Sequence, residues 1–243
     1  MKELTESFMK DFVMESDLIE NLFFNQGKLL YNHPFNKNTG HFGALQYAIK
    51  MTKEKHLLEQ SDIIEIQKMI LEEQKNYKNV PDVCIGKYRK IDNKIKKIKE
   101  INKLGKIKEQ NIVFPNFAEI PSRMKNFVRK INQWQTSISR HCKEQNMEII
   151  GRFHYKFEKI HPFTNGNGRV GRLIALYMIL FANLEPFIFT SADKEEEYFP
   201  AFQHQNKMAS YFVKKYREQK ERIRIQAEIK IPCLKSSREE GDI

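Results

Sequence analysis

His161-Pro162-Phe163-Thr164-Asn165-Gly166-Asn167-Gly168-Arg169-Val170-Gly171-Arg172 lies between two stretches with helical patterning. Before it, in Lys143 to Ile160, Met147, Ile150, Phe153, Phe157 and Ile160 recur at helical spacing. After it, Arg169 to Ala182 is apolar nearly all round, the mark of a central buried helix. The segment therefore reads as a joint. One helix ends at His161, Pro162 stops it, and Gly166 and Gly168 let the backbone turn closely before the next begins. The free N–H groups and positive dipole end of that second helix form an anion site. Arg169 and Arg172, three residues apart, project toward roughly the same region and can grip phosphate oxygens through bidentate hydrogen bonds. His161 is the one group of the segment whose ordinary pKa lies near neutrality, which makes it the natural general base. A His before a Pro, or a lone GxG, is usually only a helix end or a turn. Joined within twelve residues to Asn167 and two arginines, they describe phosphoryl or nucleotidyl transfer.

The rest of the chain extends the helical pattern. Residues 4 to 31 carry Phe8, Phe12, Ile19, Leu22 and Phe23 with no Gly or Pro before Gly27, which predicts one or two helices. Asn32 to Gly43 is looser. Gly43 to Lys53, Ser61 to Gln74 and Pro121 to Trp134 each read as a helix, with Ser61-Asp62 as a start signal. Tyr198 to Ile229 gives one or two more, and Pro232 onward reads as a frayed tail. Lys87 to Pro115 is ambiguous: Ile95, Ile98, Ile101, Leu104 and Ile107 fit a helix, whereas Asn93, Asn102 and Gly105 favour turns.

The 243 residues carry 42 Lys+Arg against 31 Asp+Glu, a net charge of +11. That length suits one domain with an appendage, and few Gly and Pro favour helices. The excess is local: Lys87 to Gln110 holds ten basic and three acidic residues, while Lys214 to Lys230 adds seven against three. Such runs are most often a solvated face, and without interleaved aromatics nucleic acid is a minor reading. Cys84, Cys142 and Cys233 form no CxxC pair, so neither a disulfide framework nor a zinc site is supported, and a reducing cytoplasm fits. No Sec-type leader is visible. The longest apolar stretch, Leu173 to Phe189, is broken by Asn183, Glu185 and Pro186 and falls short of a spanning helix.

The central segment resembles the motif HPFx[D/E]GNGRxxR of the Fic family. His154-Tyr155-x-Phe157-Glu158-x-Ile160 is similar to the helix that precedes that motif, and Gly86-Lys87-Tyr88-Arg89 to the short segment leading into a β-hairpin called the flap. The resemblance runs from about Gly43 to Tyr211. It implies an all-α, Fic-type helical bundle with a small β-hairpin flap. It divides the chain into an N-terminal helical extension (1–42), a Fic core (43–213) and a basic C-terminal helix and tail (214–243).

Fic enzymes usually transfer AMP from ATP to a protein Tyr, Ser or Thr hydroxyl and release pyrophosphate. By resemblance, His161, Asn167 and Arg169 are catalytic. Gly166, Asn167 and Gly168 hold the α- and β-phosphates, Arg169 and Arg172 bind the β- and γ-phosphates, and Phe163 packs so as to orient His161. Asn165 stands where the family has the Asp or Glu that anchors phosphate-bound Mg²⁺; its amide offers a hard cation an oxygen without charge. The flap would add the backbone of an acidic protein target as an extra strand. The reading admits a homo-oligomer and includes no membrane.

Ser16-Asp17-Leu18-Ile19-Glu20-Asn21 matches the family's inhibitory pattern [S/T]xxxE[G/N], whose Glu pairs with the second motif arginine, here Arg172. Ser16 and Glu20 share a helix face at i, i+4. Ser236-x-x-x-Glu240-Gly241 matches as well, in the tail, and His33-Pro34-Phe35 repeats three motif letters with no GNGR after them. The resemblance thus implies an autoinhibited protein adenylyltransferase. The alternatives are transfer of another phosphate-containing group, de-AMPylation, or a catalytically weak nucleotide-binding regulatory module.

Overall fold

The computed structural model describes residues 4–22, 24–25, 28–29, 35, 37–76, 79–92, 96–101 and 107–236. The first helix, α1 (Glu6–Ile19), starts at Thr5, whose side chain accepts from the Phe8 N–H at 3.2 Å. It ends in a turn at Asn21, whose φ of 54° lies in the left-handed region where Asn and Gly are favoured. Sequence patterning allowed helix to continue to residue 31. Instead β1 (Phe24–Asn25) and β2 (Lys28–Leu29) pair antiparallel, Phe24 opposite Leu29 and Asn25 opposite Lys28.

Next come α2 (Gly40–Lys53) and α3 (Gln60–Gln74). Helix α3 begins one residue before the expected Ser61, because Glu59 and Asp62 form a reciprocal capping box in which the Glu59 N–H donates to Asp62 Oδ2 at 2.7 Å. The ambiguous basic stretch is settled by pairing. Strands β3 (Lys96–Ile101) and β4 (Ile107–Ile112) run antiparallel, with Lys96 opposite Ile112 and Ile101 opposite Ile107. The isoleucine spacing mimics a helix, and the turn formers Asn102 and Gly105, which stand between the two strands in sequence, lie outside the described residues.

Helix α4 (Ile120–Gln135) has Pro121 in its first turn, where no N–H is missed. Helices α5 (Lys143–Ile160) and α6 (Asn167–Phe181) flank the motif. A π-type turn, Lys194–Tyr198, leads into the single turn α7 (Phe199–Ala201) and then α8 (Gln205–Ser236). Helix α8 runs past Pro232, where the sequence placed a tail; one proline near an end removes one donor without ending the run.

Every residue of α6 from Arg169 to Leu180 is buried, as its all-round apolar composition requires. It packs against α5, α2 and α3, while α8 packs on α5 and α1 touches both α2 and α6. Phe12, Phe42, Phe127, Phe157, Phe163 and Phe212 are all enclosed in the one core this creates. The motif joint is thus built between rigid elements rather than on a free loop. Among the described residues no helix is long and apolar enough to cross a membrane.

Candidate active site

His161 is the C-cap of α5 and adopts a left-handed conformation, φ 48° and ψ 61°, its N–H donating to the Phe157 carbonyl at 2.9 Å. Arg89 holds this strained cap in place. Its side chain is fully buried, and Nε donates to the His161 carbonyl at 2.9 Å, Nη1 to Ile91 O at 2.9 Å and Nη2 to Pro115 O at 2.5 Å. The Arg89 N–H also donates to Pro162 O at 2.9 Å. One guanidinium therefore ties the motif to the chain on both sides of the β3–β4 hairpin. Phe114, just beyond β4, lies across the His161 ring with centroids 4.4 Å apart.

The Asn167 side chain is turned back onto the motif loop. Its Nδ2 donates to Phe163 O at 2.8 Å and its Oδ1 accepts from the Phe163 N–H at 2.9 Å, so the buried amide is spent on shaping the loop. What Asn167 offers an anion is its N–H at the start of α6. Gly166 precedes it at φ 85°, a conformation that a side chain would strain.

The two arginines diverge. Arg172 stays in the wall of a cavity of about 640 Å³, together with His161, Thr164, Asn165, Gly166, Asn167 and Gly168. Its guanidinium is 1% exposed and meets α1: Nε donates to Ser16 Oγ, and Nη2 to both Ser16 O and Glu20 Oε1, each at 2.8 Å. The Glu20 carboxylate also lies against Gly168, where an added Cβ would collide with Oε1. It thus sits at the N-terminal turn of α6, where an anion is favoured. Arg169, expected beside Arg172 on phosphate, does not line the cavity. It is buried, donates through Nη2 to Gln74 Oε1, and has Nη1 3.7 Å from Asp17 Oδ1, which in turn meets His41 Nδ1 at 3.0 Å. Three residues advance a helix by 300°, so two side chains that leave the same turn can still end in different surroundings once α1 and α3 supply partners.

Electrostatics follow this burial. For Arg172, burial opposes the charge, but Tyr198 and Glu20 outweigh it and hold the pKa above the ordinary arginine value. Burial drives Arg169 downward against Asp17 and Glu20, and drives His41 downward against Asp17. His154 is pushed down to about 3 by burial and the nearby Arg172 charge. Its Nδ1 lies 3.1 Å from Gly171 O, which can only accept, so Nδ1 carries the proton. Nε2 then accepts from the Tyr198 hydroxyl at 2.8 Å, and that oxygen accepts from Arg172 Nη1 at 3.5 Å.

Asn165 is exposed at the cavity wall. Glu240 and the His33-Pro34 part of the decoy fall outside the described residues, and Phe35 packs on Phe42. Asn21, the last residue of the inhibitory pattern, accepts from Lys194 Nζ at 3.3 Å. Sequence reasoning missed Asp17, Gln74, Phe114 and Tyr198, which carry no motif of their own; Arg89 was flagged only through the G-K-Y-R resemblance.

A left-handed histidine cap and the N-terminal turn of α6 thus line one cavity in a helical fold. The model described as "Fic/DOC family" matches residues 57–179, and the chain belongs to that family. It is 32% identical to a probable protein adenylyltransferase of Aquifex aeolicus over 31% of this chain and 25% of that protein. To the protein adenylyltransferase Fic of Nematostella vectensis it is 38% identical over 21% of this chain and 12% of that one. The matches therefore span a quarter or less of those two relatives. Among solved structures, Fic-1 of Caenorhabditis elegans superposes with a TM-score of 0.62 at 17% identity, over 96% of this chain and 65% of that one. A Fic-domain signaling protein of Bacteroides thetaiotaomicron gives 0.60 at 17%, over 87% and 85%. These last two establish the fold.

Proposed function

We propose that the protein moves AMP from ATP to a Tyr, Ser or Thr hydroxyl of a protein target and is held back by α1. The observation that carries this reading is that His161 and the N-terminus of α6 open into the same cavity. His161 takes the hydroxyl proton as the acceptor oxygen attacks the α-phosphorus, the bond to the β-phosphate breaks, and pyrophosphate leaves. The N–H groups of Asn167 and Gly168 and the Arg172 guanidinium receive the phosphate charge. Arg169 supports the floor of the site from the buried side.

The donor set suits a magnesium ion only weakly. Asn165 supplies one neutral oxygen, and among the described residues no three His, Cys, Asp or Glu gather as a metal site. The ion would arrive on ATP, with Asn165 as its protein contact, and would neutralise phosphate charge. Glu20 acts as a brake by competition: its carboxylate holds Arg172 and covers Gly168, both of which an incoming phosphate requires. The basic β3–β4 hairpin, which begins just after Arg89, favours an acidic target that docks along it.

Asn165 supports a second reading, a nucleotide-binding regulatory module without transfer. Incubating Glu20→Gly with ATP labelled separately at the α- and γ-phosphates distinguishes the two. Label retained on protein from the α position alone is the expected result. Label from γ alone indicates phosphorylation, and label from neither, with ATP still bound, indicates the module.

A further inference from the structure

We infer that Glu158 is the positioning residue of His161, its carboxylate steadying the positive charge the ring acquires when it takes the acceptor's proton. This rests on the reading of His161 as general base. Glu158 stands three residues before His161 in the last turn of α5, and its Oε2 lies 3.9 Å from His161 Nδ1, with both side chains 13% exposed. That distance exceeds a hydrogen bond but suits a Coulombic partner, and such contacts tighten when substrate binds.

Both groups are held. Arg89 Nε fixes the His161 carbonyl and Phe114 covers the ring. Glu158 is pressed against α6, where a Cβ added at Gly171 would collide with its Oε1. Gly171 fills a position that the motif leaves free, so in this chain its smallness makes room for the carboxylate. The other charged groups around His161 are Lys159 of α5, Arg172 of α6, Glu20 after α1 and Glu195 of the π-type turn, all lining the cavity, with Arg89 on the carbonyl.

Removing a unit charge at this distance shifts a titration by roughly one pH unit. The test is NMR titration of the His161 Cε1–H signal, assigned by its loss in His161→Ala. In Glu158→Gln the midpoint should fall by about one unit, and the acid limb of kcat/KM should fall with it while KM for ATP stays within about twofold. Glu158→Asp, which keeps the charge, should recover most of the shift. An unmoved midpoint in Glu158→Gln, or equal shifts in Gln and Asp, overturns the inference. Because the signal needs no turnover, absence of AMP transfer would sink the functional reading and leave this one to be judged by the midpoint alone.

Discussion

Arg172 of α6 donates to Glu20 Oε1 at 2.8 Å, joining two residues 152 positions apart in the chain. The pair is asymmetric: the guanidinium side chain is 1% exposed, the carboxylate 34%. Arg172 keeps Ser16 Oγ, Ser16 O and Tyr198 as partners when Glu20 is removed, so the buried charge is not orphaned. Glu20→Gly should therefore fold, losing about 1–3 kcal/mol, the worth of one charge-assisted hydrogen bond. It should also raise AMP incorporation at least tenfold, because Arg172 and the Gly168 N–H become available to phosphate. Thermal melts with and without ATP and a labelled-ATP assay check both parts. An unchanged rate, with Glu240→Gly accelerating instead, would place the brake at the other end of the chain.

Arg89 links the chain flanking the hairpin to His161 through planar donors in a fixed fork, a geometry that lysine cannot reproduce. In Arg89→Lys at least two of the three carbonyls lose their donor, at about 1–3 kcal/mol each. The expected outcome is a lowered melting temperature and at least a tenfold fall in kcat with KM for ATP little altered, since the cavity floor at Asn167 is built independently. An equal rise in KM with kcat preserved would mean that Arg89 serves nucleotide binding rather than His161.

His154 gives the fold a defined acid sensitivity. Its folded pKa is depressed to about 3 by burial, whereas the unfolded chain titrates near 6.5. The neutral buried ring contributes fully above pH 6.5, and the contribution is lost as pH falls from there toward 3, because only the unfolded state takes up the proton. Between pH 6.5 and 4.5 this amounts to roughly 2–3 kcal/mol. His41, also depressed by burial, acts in the same direction. Urea denaturation across that range should show stability falling with acid, and His154→Gln should flatten part of the slope. A parallel slope in the variant would refute the assignment.

The twelve-residue joint was legible because each part carries its own signal: Pro162 stops a helix, Gly166 takes a positive φ, and the residues after it have a core periodicity. Ser16 and Glu20 were legible from the inhibitory pattern, and they do meet Arg172. The fate of Arg169 was not, because it depends on Asp17, Gln74 and His41, three side chains from three helices that only the tertiary fold assembles. The β3–β4 hairpin was obscured for another reason. Isoleucines at every third position satisfy a helix, and a two-stranded ribbon imposes only weak alternation to contradict it.

Asn165 offers a test of how the chain handles the charge of ATP. It is exposed at the cavity wall, its backbone carbonyl accepting from Gln67 Nε2 at 3.4 Å, so substitution of the side chain should leave the loop in place. Asn165→Asp adds a formal charge with two opposite consequences. With magnesium present, the carboxylate is a better ligand for a hard cation, and half-saturation should fall about tenfold in magnesium, ~1.4 kcal/mol. With magnesium chelated, the same carboxylate repels the bare phosphates, and ATP should bind more weakly than to the parent. The two magnesium dependences should therefore cross. Titrating fluorescent ATP binding in the Glu20→Gly background, with and without magnesium, reads both arms without requiring turnover. Parallel curves would show that residue 165 does not face the metal-bound phosphates.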